Sequence, residues 1–326
     1  MDAPLVSKYL TLELCKMFHI RTLAFGRRYC YTEWSNLAKD EMEPMNLKTP
    51  RIAVIQDLSC IGRCSLSVAM AVLPALGAEA AVLPTAILSA HTAFEEFTFL
   101  DFTPEAERIM QHWQRMDLRF DAIYIGYLGS IQLVRLAERF IDRFRAPGVH
   151  VVLDPAFGDD GKLYPGFDME YVREMRALCA RADVILPNVT EACFLLDIPC
   201  GEDEAHSAAL AVKSEALLGD TLRNVLLTSC RFTGGQTGLI CVGDDAFQYP
   251  HEHLPLVGPG SGDLFASVFA GLLVKCGQVE PAARAAADFT FDCIRYSMDC
   301  PDHRWYGLDY EPMLPALIRL AEGFGG

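Results

Sequence analysis

The sequence of 326 residues has little basic charge and no long apolar run. Lys and Arg total 28 against 43 Asp and Glu, so the formal net charge is −15. Such a charge disfavours nucleic acid and anionic membranes as main partners, because both are themselves negative. No apolar stretch reaches the roughly 18 residues that a membrane-spanning helix needs. With 51% apolar residues the chain can bury a large core, and we expect a cytoplasmic protein.

Two common phosphate-binding motifs and a complete zinc motif are also missing. Neither GxxxxGK[ST] nor GxGxxG occurs, which disfavours P-loop and dinucleotide-binding proteins. Cys60 and Cys64 have no second Cys or His pair nearby, and His251 and His253 have no apparent third ligand. The 12 cysteines are irregularly spaced and often stand in apolar runs, so we expect reduced, buried thiols.

Residues 1–44 differ from the rest of the chain. They carry as many basic as acidic side chains, so the negative charge lies downstream. Charges interrupt their apolar stretches, and they therefore lack the hydrophobic segment of a secretory signal. They are either an arm that packs on the domain or on a partner subunit, or an extension upstream of a start at Met45. Residues 45–326 contain no linker or repeat, and we predict one domain there.

Short β-rich runs alternate with stretches long enough for helices from Arg51 onward. The predicted strands are Ile52–Gln56, Ala80–Leu83, Ala122–Ile125, Val149–Leu153, Val184–Leu186, Val225–Thr228, Thr237–Val242 and Ala246–Tyr249. Runs of Val, Ile and Leu without polar alternation suit strands covered on both faces. We therefore predict an α/β fold with a mostly parallel sheet between helices. Gly243–Asp245 separates the last two runs and predicts a hairpin at one edge of the sheet.

Polar residues follow most of these predicted strands, at the positions where ligands gather in such sheets. They are Asp57, Thr85, Gly126, Tyr127, Asp154, Asn188, Thr228 and Ser229. The carboxyl ends of parallel strands meet at one edge of a sheet. We therefore expect a single ligand site there.

A glycine-rich turn, Gly258–Asp263, precedes the apolar run Leu264–Cys276, which predicts a buried helix. Glycines let the backbone approach a ligand closely, and the unpaired amides at a helix start bind anions. Asp263 is placed to accept a proton from an attacking hydroxyl while those amides stabilise a phosphoryl group. The alternative is that Asp263 only caps the helix and the glycines only form a turn.

Two further segments rich in polar groups follow predicted strands. Asp154–Lys162 begins at the end of one strand, and Asn188–Glu191 begins at the end of the next. Carboxylates beside a phosphate site need a cation such as Mg²⁺, held by one or two carboxylates, water and nucleotide oxygens. The alternative is a solvated turn at Asp159–Gly161 and a helix cap in which Glu191 completes a capping box with Asn188.

The combination of these motifs resembles the ribokinase-like superfamily, whose fold is a three-layer α/β/α sandwich. The matching segments are Gly260–Asp263, Asp154–Asp159 and the pair Asn188 and Glu191. Within the superfamily, Gly126–Ser130 and the stretch from Thr85 to Thr92 resemble pyridoxal kinases, and Gln56–Leu66 is similar to the bacterial pyridoxamine kinase branch. The likeness runs from about residue 51 to the C-terminus and leaves residues 1–44 without a counterpart.

The resemblance implies ATP-dependent phosphorylation of the 5′-hydroxymethyl group of a B6 vitamer, which is pyridoxamine, pyridoxal or pyridoxine. It implies ATP and Mg²⁺ as cofactors and a homodimer as the assembly. It leaves open whether a monovalent cation is also required. Asp263 is then the catalytic base. The anion hole consists of the amides of Gly260, Ser261 and Gly262.

The same resemblance implies the remaining contacts. The nucleotide site consists of Asp154, Asp159, Asn188, Glu191 and Thr228, of which Asp154 and Glu191 also hold Mg²⁺. The vitamer pocket consists of Asp57, Thr85 and Tyr127.

Position 57 departs from the better-known pyridoxal kinases, which carry Ser there. A carboxylate favours a protonated ring nitrogen or a cationic aminomethyl group, so Asp57 favours pyridoxamine as substrate. Two other functions stay open. One is a hydroxymethylpyrimidine kinase of thiamine biosynthesis with the same base and anion hole. The other is a non-catalytic vitamer-binding protein of the same fold, which the presence of Asp263 in an intact glycine turn disfavours.

Overall fold

A twisted sheet of nine strands forms the centre of the computed structural model, which describes residues 49–324 without 202, 256 and 257. The strands of this sheet are β1 Arg51–Ser59, β2 Glu79–Leu88, β3 Phe99–Asp101, β4 Ala122–Ile125, β5 His150–Leu153, β8 Val184–Ile185, β9 Asn224–Phe232, β10 Gln236–Gly243 and β11 Phe247–His251. A separate small hairpin consists of β6 Gly158–Asp159 and β7 Lys162–Leu163. The predicted extension, residues 1–44, lies outside the described residues, so its role stays a prediction.

The strand order is β11-β10-β9-β8-β5-β4-β1-β2-β3. All pairs from β2 across to β9 are parallel. The pairs at both edges are antiparallel, namely β2 with β3, β9 with β10 and β10 with β11. These findings confirm the mostly parallel sheet and the late hairpin at one edge.

Helices connect the strands. They are α1 Ser65–Ala75, α2 Thr103–Arg115, α3 Ile131–Phe144, α4 Met169–Cys179, α5 Val189–Leu196, α6 Glu204–Ser214, α7 Ser261–Cys276, α8 Val279–Asp299 and α9 Leu314–Glu322, with short 3₁₀ turns at 215–217, 233–235 and 311–313. None of the helices in the described range combines the length and apolarity that crossing a membrane would require. Helix α7 confirms the buried helix that the run from Leu264 predicts.

Two hydrophobic cores lie on opposite faces of the sheet. Successive residues of a strand point to opposite faces. In β1, Ile52 and Val54 accordingly join the core formed with α1, α7, α8 and α9, whereas Ala53 and Ile55 join the core formed with α2 to α6. This arrangement is the predicted sheet between two helical layers, and it explains the uninterrupted apolar runs of the inner strands.

The chain changes direction across the sheet at β1, which lies between β2 and β4. Helix α1, which follows β1, packs on one face, and α3, which follows β4, packs on the other. The loops after β1 and β4 therefore diverge and leave a crevice at the carboxyl ends of these strands. Such a switch point is where open α/β sheets bind ligands.

Several strands are longer than predicted, which corrects the placement of three site residues. Asp57, Thr85 and Thr228 lie inside β1, β2 and β9 rather than after them. The β1–β2 ladder continues past a register shift, and β9 continues because it pairs with β10 as far as Phe232. Strands β3, β6 and β7 were not predicted, because they are only two or three residues long and carry no apolar run.

Candidate functional site

The β1–β2 ladder shifts register where two predicted site residues lie. The pairing skips one position between Gln56 and Leu58, so Asp57 opposes both Thr85 and Ala86 of β2. A bulge of this kind redirects side chains and commonly lies next to a site. It brings Asp57 and Thr85 together at the crevice.

Asp57, Thr85 and Tyr127 form one group, as the sequence predicts. Asp57 is only 5% exposed and accepts a hydrogen bond from the Ser59 hydroxyl at 3.0 Å. The Thr85 hydroxyl donates to the Tyr127 carbonyl at 3.4 Å. Burial raises the pKa of Asp57, and hydrogen bonds from Ser65 and Ser59 partly oppose that rise. Burial and the nearby Asp57 carboxylate raise the pKa of Tyr127 to about 12, so its phenol is a hydrogen-bond donor at neutral pH.

An aromatic cluster beside this group includes residues from the C-terminal part of the chain. The His91 ring lies 4.8 Å from Phe94 and 5.9 Å from Trp305, measured between ring centroids. Its Nε2 atom lies 3.2 Å from the Tyr306 carbonyl. A charge on His91 would lower the pKa of Asp57, so the two side chains are close. The sequence patterns assign no role to Trp305 and Tyr306. The one feature that could have marked them is a pair of adjacent aromatic residues directly before Gly307.

Arg63, in the loop after β1, binds the C-terminal segment 305–311. Its side chain forms ion pairs with Asp309 and, at 2.8 Å, with Glu311. Its backbone N–H donates to the Tyr306 carbonyl at 3.3 Å. The carboxylates hold a partly buried guanidinium in place, and the pKa of Asp309 is lowered by hydrogen bonds from His303 and Arg63 despite burial.

The glycine-rich turn before α7 packs directly on the same loop. Gly260 has a φ of 82°, and a Cβ atom there would lie 1.8 Å from the Arg63 carbonyl oxygen. Only glycine fits such an approach. The first helical hydrogen bond of α7 runs from Leu264 N–H to the Gly260 carbonyl at 2.9 Å. The amides of Ser261 and Gly262 therefore have no partner within the helix, as an anion hole requires.

Asp263 lies in the first turn of α7 and is held from outside its own helix. Its carboxylate accepts a hydrogen bond from the Ser65 backbone N–H, at the start of α1. This partner disfavours the alternative in which Asp263 only caps α7. Burial raises the pKa of Asp263 to about 6, with a further contribution from Asp57, while the Ser65 hydrogen bond lowers it. A carboxylate with a pKa near neutrality suits a general base.

Three residues other than glycine have a positive φ near the site, at the start of α1, after β5 and within β9. They are Ser65 with φ 49°, Ala156 with φ 44° and Ser229 with φ 60°. Such conformations are strained for residues with a Cβ and tend to cluster at functional sites. Two of them supply amides to carboxylates, because Ser65 bonds Asp263 and Ala156 bonds Asp154. The strain is thus associated with holding the acidic groups.

Asp154, Glu191 and Asp263 form a cluster of acidic groups. Oδ2 of Asp154 lies 3.9 Å from the position that a Cβ on Gly262 would occupy, which places it beside the anion-hole turn. Burial raises the pKa of Asp154 well above its ordinary value, and Glu191 and then Asp263 raise it further. Tyr164, from the segment after β7, lies near the same acidic groups, and burial is the main cause of its raised pKa.

Glu191 and Asn188 form the capping box that the alternative interpretation of this segment describes. The Glu191 N–H donates to Asn188 Oδ1, and the Asn188 N–H donates to Glu191 Oε2, both at 2.9 Å. Glu191 Oε1 also accepts from Phe157 N–H at 2.9 Å, and Asn188 Nδ2 donates to the Gly158 carbonyl at 2.8 Å. Burial raises the pKa of Glu191 to about 7 in spite of these donors. The capping role therefore exists, and a contact of either residue with nucleotide or metal stays a prediction.

The other two predicted nucleotide residues lie on either side of Asn188. Thr228 forms a parallel bridge with Asn188, and its N–H donates to the Pro187 carbonyl at 2.9 Å. Asp159 is exposed in the β6–β7 hairpin and accepts from the Asp160 N–H at 2.9 Å. Of the predicted nucleotide residues, Asp154 and Asn188 thus follow strands and Asp159 ends one. Thr228 lies within β9, and Glu191 lies in the first turn of α5.

The acidic cluster fits a divalent cation shared with a ligand. The charged groups that shift the pKa of Asp154 are Glu191 and Asp263, which are themselves acids. Within the described part of the chain, no group of three or more His, Cys, Asp or Glu side chains forms a metal site by itself. Mg²⁺ is commonly held by one or two carboxylates together with water and phosphate oxygens, and Asp154 with Glu191 meets that pattern.

Comparison with known proteins gives a consistent assignment. A family described as phosphomethylpyrimidine kinase matches residues 69–305. A crystal structure of a protein named phosphomethylpyrimidine kinase from Bacteroides thetaiotaomicron, in a form with pyridoxal, is 36% identical with a TM-score of 0.74. It covers 83% of this chain and 96% of that chain. The pyridoxal kinase of Lactobacillus plantarum is 30% identical with a TM-score of 0.77, over 86% of this chain and all of that one.

A curated relative is also similar over part of its length. The pyridoxine/pyridoxal/pyridoxamine kinase of Bordetella avium is 32% identical over 182 residues, which are 53% of this chain and 59% of the relative. The match therefore spans little more than half of that protein. The structural neighbours confirm the ribokinase-like fold.

We predict that Gly260→Ala destabilises the protein by about 2–5 kcal/mol, which combines left-handed strain with overpacking against the Arg63 carbonyl. The matched control is Gly277→Ala at the other end of α7, where φ is also positive at 66° but no atom lies within 4 Å of the added Cβ. Strain alone predicts roughly 1–2 kcal/mol there. Urea unfolding of the two variants measures the difference, and equal losses would contradict the close approach at Gly260.

Proposed function

We propose, because the chain belongs to the phosphomethylpyrimidine kinase family, that it transfers a phosphoryl group from ATP to the hydroxymethyl group of a B6 vitamer. The observation that carries the proposal is Asp263, a half-buried carboxylate whose pKa desolvation raises to about 6, beside the amides of a glycine turn. The names of the Bordetella and Lactobacillus relatives and the pyridoxal in the Bacteroides structure support a vitamer as acceptor.

The chemistry follows from the placement of Asp263. Its carboxylate accepts the proton of the substrate hydroxyl as that oxygen bonds to the γ-phosphorus of ATP. The bond between the γ-phosphorus and the bridging oxygen breaks, and ADP leaves. Negative charge on the moving phosphoryl group is stabilised by the amides of Gly260, Ser261 and Gly262, which the helix hydrogen bonds leave available.

The other side of the crevice would hold the nucleotide. We infer that Asp154 and Glu191 hold Mg²⁺, which neutralises phosphate charge when bound. Asp159, Asn188 and Thr228 would contact the nucleotide directly. Thr228 lies beside Asn188, and the Asn188 amide has one N–H left after its bond to Gly158.

The vitamer would lie against Asp57, Thr85 and Tyr127. A ring over Tyr127 gains aromatic contact, and the Tyr127 phenol can donate a hydrogen bond. Asp57 is a buried carboxylate without a basic partner among the groups that shift its pKa, apart from His91. A cationic substrate would supply the opposite charge, and we therefore propose pyridoxamine as the preferred vitamer.

A second candidate acceptor is hydroxymethylpyrimidine. The family description and the name of the Bacteroides protein both refer to a pyrimidine substrate. The same base and anion hole would serve a hydroxymethyl group on either ring. Only the residues that contact the ring, Asp57, Thr85 and Tyr127, would then determine which substrate is preferred. A homodimer, a cytoplasmic location and a monovalent cation requirement also remain predictions.

The proposal predicts ADP release from ATP that depends on a B6 vitamer, measured with pyridoxamine, pyridoxal, pyridoxine and hydroxymethylpyrimidine side by side. Asp263→Asn should reduce kcat by about 10²–10⁴-fold, the usual contribution of a general base, while vitamer binding persists. Binding of a vitamer without any ADP release by the wild-type chain would instead establish a non-catalytic binding protein. Faster turnover of the pyrimidine than of every vitamer would establish the second candidate.

The pKa of Asp263 predicts the pH dependence of the reaction. A base must be unprotonated to accept the substrate proton, so kcat/KM should fall as the pH drops through about 6. A profile of kcat/KM from about pH 4 to 8 tests this expectation. Activity that stays constant down to about pH 4, the ordinary range of an exposed carboxylate, would contradict a buried base.

Asp57→Asn tests the choice of vitamer. We expect kcat/KM for pyridoxamine to fall about tenfold or more, because a hydrogen bond to a charged group contributes about 1.5–3 kcal/mol. Pyridoxine, which lacks the amine, is the internal control and should lose less. Equal efficiency of the wild type and the variant on pyridoxamine would refute the role of Asp57.

A further inference from the structure

Three fully buried side chains between the sheet and α7 carry polar atoms without a protein partner. Gln56, Tyr124 and Ser267 are all 0% exposed. Among the described residues, the Gln56 amide nitrogen and oxygen, the Tyr124 hydroxyl and the Ser267 hydroxyl have no hydrogen-bond partner. Buried polar groups are nearly always hydrogen-bonded, so four such atoms in one region need a physical explanation.

Strand register places these groups on the face that carries Asp154. Tyr124 of β4 pairs with Val54 of β1 on one side and with Val152 of β5 on the other. Side chains two residues apart in a strand share a face. Gln56, two positions after Val54, and Asp154, two positions after Val152, therefore lie on the face of Tyr124. Tyr124 belongs to the core that this face forms with α7.

On α7, Ser267 lies on the same side of the helix as Asp263, the proposed base. Ser267 is four residues after Asp263 in α7, and residues four apart lie on the same side of a helix. Ser267 and Gln56 lower the pKa of Tyr124 as hydrogen-bonding groups would, so they are the polar neighbours of its hydroxyl, although no pair among the three meets both the distance and the angle of a hydrogen bond. Burial first, and then the charges of Asp263 and Asp154, raise the pKa of Tyr124, so its hydroxyl lies within electrostatic range of both carboxylates.

The Gln56 amide packs against Gly126 and has no hydrogen-bond partner there. Its Oε1 atom lies 2.7 Å from the position that a Cβ on Gly126 would occupy, so the amide packs closely against Gly126, directly after β4. The residues flanking Tyr124 in the strand, Ile123 and Ile125, are apolar and fully buried in the opposite core. A phenol at position 124 is thus a polar group in an otherwise apolar strand, on the face that also carries Asp154.

We propose that Gln56, Tyr124 and Ser267 bind ordered water beneath the phosphoryl-transfer site, and that Tyr124 is a positioning residue whose hydroxyl supports the carboxylates of Asp154 and Asp263 through that water. A buried water needs two to four polar partners, which this cluster supplies in roughly that number. The positioning role rests on the proposed kinase function. The water site itself does not.

The test uses two variants that remove one oxygen each. Tyr124→Phe and Ser267→Ala should each lower kcat about tenfold with little change in KM for ATP or for the vitamer, because neither side chain touches a substrate. The double variant should be hardly slower than either single variant, since both disrupt the same water. If the double variant loses kcat by the product of the two single losses, or if kcat is unchanged in Tyr124→Phe, the positioning role is overturned.

Tyr310→Phe is the matched control. Tyr310 is a buried tyrosine in the same core, and its hydroxyl donates to the Ser67 carbonyl at 3.4 Å. The same chemical change there should lower Tm while kcat stays unchanged. An equal loss of kcat in this variant would show that Tyr124→Phe acts through general loosening of the core, which would also overturn the proposal.

A crystal structure of the wild-type protein at atomic resolution decides the water site without reference to activity. We expect ordered water within hydrogen-bond distance of the Tyr124 hydroxyl and of Ser267 or Gln56, with a connection to Asp154 or Asp263. The absence of ordered water density around these atoms would overturn the inference. A wild-type protein without turnover would refute the proposed kinase and the positioning role, whereas the density alone would still decide the water site.

Discussion

Repulsion among three closely placed carboxylates, the buried Glu191 and the half-buried Asp154 and Asp263, is the constraint on which the rest of this structure depends. Glu191 and Asp263 both raise the pKa of Asp154 beyond the effect of burial, and the groups that shift this pKa include no basic side chain. The protein offsets the repulsion with backbone amides. Ser65 bonds Asp263, Ala156 bonds Asp154, and Phe157 and Asn188 bond Glu191. Each amide belongs to a loop at a strand end, so the acidic cluster exists only where parallel strands end together.

Much of the fold and part of the site follow from local patterns. The apolar runs of the inner strands, such as Ala122–Ile125, predict burial on both faces because no polar residue interrupts them, and the structure has that strand with the same bounds. The turn at Gly243–Asp245 predicts the edge hairpin and the apolar run from Leu264 predicts helix α7, and both patterns can be recognised from adjacent residues alone. Asp154 and Asp263 could be selected because a carboxylate after a strand or a glycine turn is chemically informative without knowledge of its neighbours.

Other features depend on contacts that no local pattern encodes. Trp305 and Tyr306 reach His91 only because Arg63 pairs with Asp309 across the fold. Tyr124 is an ordinary β-forming residue in its strand, and its lack of a partner is visible only once α7 is placed over it. The β6–β7 hairpin could not be predicted, since the aspartates and the glycine around Asp160 are equally typical of a hairpin tip and of the solvated turn that is the alternative interpretation of this segment.

The ion pair between Arg63 and Asp309 joins residues 246 positions apart in the chain. The glycine turn that packs on Arg63 is almost as distant, since Gly260 meets its carbonyl. Contacts of such long sequence separation form late and slowly during folding. A nascent polypeptide would therefore possess most of its sheet before it possesses any reactive centre, and ligand affinity would emerge only after the ribosome has released nearly the whole domain.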